Sequence, residues 1–170
     1  MNADIAIVLA KMINYEQGCP HRVNHFLKVH SFARIIGEAE GLNPSEQYIL
    51  EVAAAMHDCG IRASLIKHGY YNGKMQEEEG PAVADTMMLE LGLGEAIRDR
   101  VCFLIGHHHT YTNIDGSDYR ILVEADFLVN IYEDELSADA IESVKEKYFV
   151  TKKGREILTS LYQTPNEAEK

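Results

Sequence analysis

Four places in this chain set an imidazole or a carboxylate on or beside an apolar helical face: His25, the adjacent pair His57-Asp58, the run His107-His108-His109, and Asp126. Each alone has an ordinary reading. A lone histidine on an apolar stripe is more often a hydrogen-bonded core residue than a ligand. Asp126, set between Leu122 and Val129, could pair with Lys28 or an arginine. A carboxylate aimed into a core is rare unless it is paired or bound to a cation. Several such residues in one small helical chain point to a shared ion. Mixed imidazole and carboxylate donors suit a first-row transition metal, and suit Mg2+ less where histidines dominate.

The elements that must position these groups read as helices. A first helix is expected from about Asp4 to Glu16, ending at Gly18 and Pro20. A second runs from about Arg22 to Glu40 and stops at Gly41. Its stripe His25, Val29, Phe32, Ile36 puts His25 in line with core residues. A third opens on Asn43 as N-cap, with Pro44 at the first position and Glu46 closing a capping box. Leu50, Ala53 and Ala54 lead along it to His57, and Gly60 terminates it. A short helix from about Arg62 to His68 follows, and Gly69 to Glu79 reads as a loop, a candidate lid. Pro81 suits the first position of a helix reaching Leu91.

The segment from Glu95 to about His109 carries the stripe Ile97, Val101, Leu104, Ile105, His108. After a turn at Asp115-Gly116, a helix near Asp118 to Tyr132 turns Leu122, Ala125, Leu128 and Val129 inward. Ser137 can cap a further helix, and a last one reaches Tyr162. Residues 163–170 read as a disordered tail. Sustained strand alternation is absent, so the fold class is all-α, in a single domain over 1–170.

The chain of 170 residues is 46% hydrophobic and 25% charged, with a net charge of −11 and a pI near 5.1. Such a surface repels phosphate backbones and disfavours bulk nucleic acid. A small anionic substrate is still compatible, because a bound metal supplies local positive charge. Apolar runs such as Ile5 to Ala10 are too short to cross a bilayer, and the first residues lack a secretory pattern. The expectation is a cytoplasmic protein without a membrane partner, and a homo-oligomer is compatible with this composition. Cys19, Cys59 and Cys102 are an odd count without CxxC spacing, which argues against a disulfide framework and favours small apolar fillers.

His25-Phe26-Leu27-Lys28-Val29 resembles the opening histidine and following basic-aliphatic pair of HD-domain proteins. Ala53-Ala54-Ala55-Met56-His57-Asp58-Cys59-Gly60 is similar to the superfamily's central signature, a helix ending in His-Asp. Glu124-Ala125-Asp126-Phe127-Leu128 is similar to its closing Ala-Asp-x-Leu helix. The match runs in order from about Arg22 to Asp134. The resemblance implies an all-helical bundle of about seven to nine helices, with a metal held by His25, His57, Asp58 and Asp126. Most characterised members are phosphohydrolases of nucleotides or other phosphate esters. Some carry two metals, with extra histidines before and within the helix that here ends in the triple histidine. The matching position there is His108, with His109 the adjacent candidate and His107 a solvated residue.

Two positions depart from that pattern. Two-metal members often have a histidine four residues before a glycine, where this chain has Gln76 before Gly80. Glu77, Glu78 or Glu79 could substitute as an oxygen ligand, although an acidic run is usually a solvated face. Some relatives carry a lysine three residues after the His-Asp aspartate, where this chain has Ile61 and then Arg62.

The implied cofactor is one or two divalent ions of Fe, Mn, Co, Ni or Zn, and the implied partner a small phosphorylated substrate such as a nucleotide. Asp58 is the natural bridge between two ions, and Asp58 and Arg62 are the catalytic candidates. Arg62, Lys67 and Lys74 are candidate phosphate donors at the rim, and Tyr70 and Tyr71 could stack on a base; ordinary surface roles suit these five equally well. Two rival readings accompany the hydrolase: a non-catalytic regulatory module binding nucleotide or metal, and a di-iron oxygenase, a chemistry some HD relatives perform.

Overall fold

The structure, a computed structural model, describes residues 3–162. These form nine helices and no strand: α1 (Ile5–Tyr15), α2 (Pro20–Glu40), α3 (Pro44–Met56), α4 (Gly60–His68), α5 (Gly73–Glu90), α6 (Glu95–Ile105), α7 (Ser117–Glu133), α8 (Ala138–Tyr148) and α9 (Lys152–Tyr162). The expected disordered tail lies outside the described residues. No helix among them is long and apolar enough to cross a membrane.

Local chemistry explains the ends. Asn43 accepts from the backbone of Ser45 and Glu46 while Glu46 reaches back to the Asn43 N–H, so both halves of the capping box are made. Gly41 stops α2 in the left-handed region at φ 79°, where a residue with a Cβ is strained.

Packing centres on α3, which contacts α1, α2, α6 and α7. Its Ala53, Ala54 and Ala55 are wholly buried, and such short side chains let neighbouring backbones come close. α7 is buried on most of its sides, Ile121, Leu122, Val123, Leu128 and Ile131 among its inward residues. Each such side chain contributes about 1.5–3 kcal/mol relative to exposure. Two carboxylates lie deep in that helix, where burial is costly: Glu124 is satisfied by the backbone N–H groups of Val150 and Thr151, whereas Asp126 faces the site.

Three expectations need correction. Residues 73–79 are helical, because Asn72 caps α5 by accepting from Met75 N, so the candidate lid is reduced to the short connection before Gly73. Pro81 lies inside α5 rather than at its start; it withholds the donor that Glu77's carbonyl would have received, a cost the surrounding packing absorbs. α6 ends at Ile105, and His107 to His109 belong to the turn beyond it.

The crossing of α4 and α5 depends on Gly60. A Cβ there would lie 2.6 Å from the Gln76 carbonyl oxygen and 2.9 Å from the Gly80 nitrogen. The close approach sets Gln76 beside the turn that carries Asp58.

Candidate metal centre

α2 supplies His25, the end of α3 supplies His57 and then Asp58, and α7 supplies Asp126. His25 Nε2 lies 3.2 Å from His57 Nε2, 3.2 Å from Asp126 Oδ1 and 3.4 Å from Asp58 Oδ2. His57 Nε2 is 3.5 Å from each of those two carboxylate oxygens. The opposite ring nitrogens are occupied. His25 Nδ1 donates to Glu133 Oε2 at 2.8 Å, and His57 Nδ1 donates to the Ala54 carbonyl at 2.9 Å. Each bond leaves Nε2 as the inward-facing nitrogen, the one that can coordinate a metal once any proton on it is displaced.

A second set shares Asp58. Its Oδ1 lies 3.5 Å from His108 Nε2, and His108 Nδ1 donates to the Ile105 carbonyl at 2.7 Å. His109 follows, its Nε2 3.2 Å from Gln76 Oε1. Glu77 secures this turn from behind, accepting from His109 N at 3.0 Å and Thr110 Oγ1 at 2.9 Å. Two trios can thus each hold an ion: His25, His57 and Asp58, and Asp58, His108 and His109.

The buried atoms test whether a cation fits. His108 Nε2 and Asp126 Oδ1 are buried without a hydrogen-bond partner. Leaving such atoms unsatisfied costs about 1–3 kcal/mol each. An ion in each donor set would satisfy them, Asp126 Oδ1 beside His25 and His57 and His108 Nε2 beside Asp58. The electrostatics point the same way. Burial pulls the His57 imidazole down, but Asp58 and Asp126 outweigh it and push its pKa up to about 9. Asp126 is held well below the carboxylate range: burial opposes this, but His25 and His57 prevail. Asp58 is lowered too, by His57, His108 and His25 against its own burial. The set draws positive charge inward, from protons or from a metal.

His25, Asp58 and Asp126 form the floor of a cleft of about 180 Å³, with Gln76, His109, Ile61 and Tyr71 around it. Several expected residues lie elsewhere. Arg62 donates to the Tyr15 carbonyl at 2.8 Å, Lys67 pairs with Glu79 at 2.5 Å, and Lys74 faces Glu78 at 3.8 Å; none of the three lines the cleft. Glu77, Glu78 and Glu79 are spent on these contacts, and Gln76 faces the centre instead. Tyr71 reaches the rim, whereas Tyr70 is exposed and off the cleft. His107 donates to the Phe103 carbonyl and stacks on that ring, rather than standing in solvent.

The cleft's guanidinium belongs to Arg22, whose Nε donates to the buried Glu16 at 2.7 Å. His21, Asn130, Glu133 and Asp134 also line the cleft. Helical register could have found most of them. Arg22 precedes His25 by three residues and His21 precedes it by four; Asn130 follows Asp126 by four.

No protein-family model matches the sequence, and no curated protein matches it. The structure is similar to the crystal structure of a predicted HD superfamily hydrolase from an uncultured Thermotogales bacterium. The TM-score is 0.66 at 22% identity, covering 92% of this chain and 84% of that one. The chain has the HD-domain fold.

Proposed function

We propose that this chain is a metal-dependent phosphohydrolase acting on a small phosphate ester, a nucleotide being one class of it. The observation that carries the reading is Asp58, one carboxylate shared by two convergent donor sets and opening onto the cleft. A bound divalent ion would supply Lewis acidity toward a phosphoryl oxygen and a water acidic enough to ionise near neutral pH.

The remaining work falls to the chain's own groups. Asp58, kept ionised by the surrounding imidazoles, accepts a hydrogen bond from an attacking water and aligns it. Arg22, pinned through Nε by Glu16, offers its Nη donors to the substrate phosphate. Glu133 holds His25 in one tautomer and one orientation. The cleft suits the phosphate end of a small ester better than a polymer. No nucleophilic Ser or Cys is required, and the buried Cys59 thiol, its pKa pushed up chiefly by burial, is unsuited to that role.

The test is a panel of nucleotides, cyclic nucleotides, dinucleoside polyphosphates and an aryl phosphate, offered to Mn2+-, Fe2+- or Co2+-loaded protein. Turnover is expected to stop on chelation and to be missing from Asp58→Ala. Inactivity of fully metallated protein across the panel would replace the hydrolase with a regulatory binding module. Two oxygen-reactive irons would replace it with an oxygenase.

A further inference from the structure

The two donor sets around Asp58 are not equivalent. Around His25 and His57, both outward nitrogens are hydrogen-bonded and both Nε2 atoms face inward. Asp126 adds an oxygen there that nothing else satisfies. On the other side only Asp58 Oδ1 and His108 Nε2 are committed to the centre. The third group, His109, is committed to α5. Its ring lies so close to the first turn of α5 that a Cβ on Gly73 would sit 2.9 Å from His109 Cγ. Its Nε2 is engaged at 3.2 Å by the side-chain amide of Gln76, a residue only 6% exposed. Whichever way that amide is oriented, this bond occupies Nε2, one of the two ring nitrogens with which His109 could meet an ion, and ties the ring to α5.

We propose that Gln76, by holding His109, makes this an unequal centre: one tightly held divalent ion at His25, His57, Asp58 and Asp126, and one labile ion at Asp58, His108 and His109. The inference rests on the metal-centre reading above and goes beyond it, since it assigns the order of filling and the residue that sets it. A ligand that must first break a buried hydrogen bond binds more weakly than one pre-aimed at the ion, and such outer contacts shift metal affinity by about 10–100-fold.

The experiment titrates full-length metal-free protein with Mn2+, reading free ion by electron paramagnetic resonance and retained ion by elemental analysis after dialysis. Wild type is expected to keep one Mn2+ per chain through dialysis and to bind a second on the order of 100-fold more weakly. Gln76→His supplies an imidazole in place of the amide and is expected to bring the second ion within about tenfold of the first. Gln76→Ala, which releases His109 without adding bulk, is expected to narrow the gap in the same direction. It decides the matter should Gln76→His not fold. Two ions of equal affinity in wild type would overturn the inference alone, as would a gap unchanged in a folded Gln76 variant. Absence of any bound Mn2+ would overturn the metal-centre reading and this inference with it.

Discussion

The two sides of the centre are built from different kinds of structure. His25 and Asp126 come from the interiors of long helices and are aimed by regular geometry, while His57 is the residue just beyond α3, held by its bond to the Ala54 carbonyl of that helix. His108 and His109 come from a turn after α6, and Gln76 from a helix with a proline inside it. Interior positions are fixed by the same packing that makes the core. A turn is held by a handful of specific bonds, here Glu77 to His109 and Thr110, and Tyr119 Oη to the His107 carbonyl at 2.7 Å. Precision on the first side follows from the fold itself, and on the second from a few side chains that mutation can remove.

The largest effect is expected where the two sides meet. Asp58→Ala removes the one donor common to both and should leave the protein without stoichiometric metal and without turnover. Metal retained at wild-type level by elemental analysis would show that Asp58 is no ligand. His57→Ala should lose metal as well, with an added stability cost, because its ring is wholly buried.

A smaller effect, confined to the first side, is expected from Glu133→Gln. Glu133 orients His25 and also pairs with Lys28 at 2.6 Å. Its loss should weaken the tight ion by about 10–100-fold while the fold survives. Unchanged affinity would mean that helix packing alone aims His25. On the second side, His108→Ala should abolish only the weaker ion. His107→Ala should leave both ions in place, since His107 contacts Phe103 and not the centre. Equal loss of metal in the two variants would contradict the turn geometry.

The same contrast governs what could be read from the sequence. The helical stripe that put His25 in line with Val29 and Ile36 holds in space, and all three are buried. The capping box at Asn43 formed because its bonds span three residues and need no tertiary partner. The second side was less legible. The stretch from Gly69 to Glu79 is polar and glycine-bearing, and its helix is fixed by one cap at Asn72 and by the Gly60 crossing, a contact distant in sequence. His108 does point inward as its stripe suggested, but from a turn, with Nδ1 bound to the Ile105 carbonyl. Arg62, Lys67 and Lys74 stand out in the sequence by charge, and charge does not say which side of a helix faces a cleft; Arg22 lies three residues before His25, one turn along the same helix.

The smallest expected effect is a pH slope that belongs to the first side alone. In metal-free protein His57 has a folded pKa raised from 6.5 to about 9, because Asp58 and Asp126 outweigh its burial. A raised folded pKa means that the protonated imidazole stabilises the fold fully below 6.5, and that this contribution fades as pH rises through about 9. The melting temperature of metal-free protein should therefore fall by several degrees between neutral pH and mildly alkaline pH. The depressed Asp58 and Asp126 do not enter this window, since their contributions are lost only in acid. On the second side His109 is lowered to about 4, by burial first and then by His108, so it stays neutral throughout. The slope should accordingly persist in His109→Asn. It should flatten in metal-loaded protein, where the ion takes the place of the proton on His57. A metal-free melting temperature that is flat or rising over this range would show that the carboxylates do not hold a proton on His57. The strong first side would then owe its geometry to packing rather than to charge.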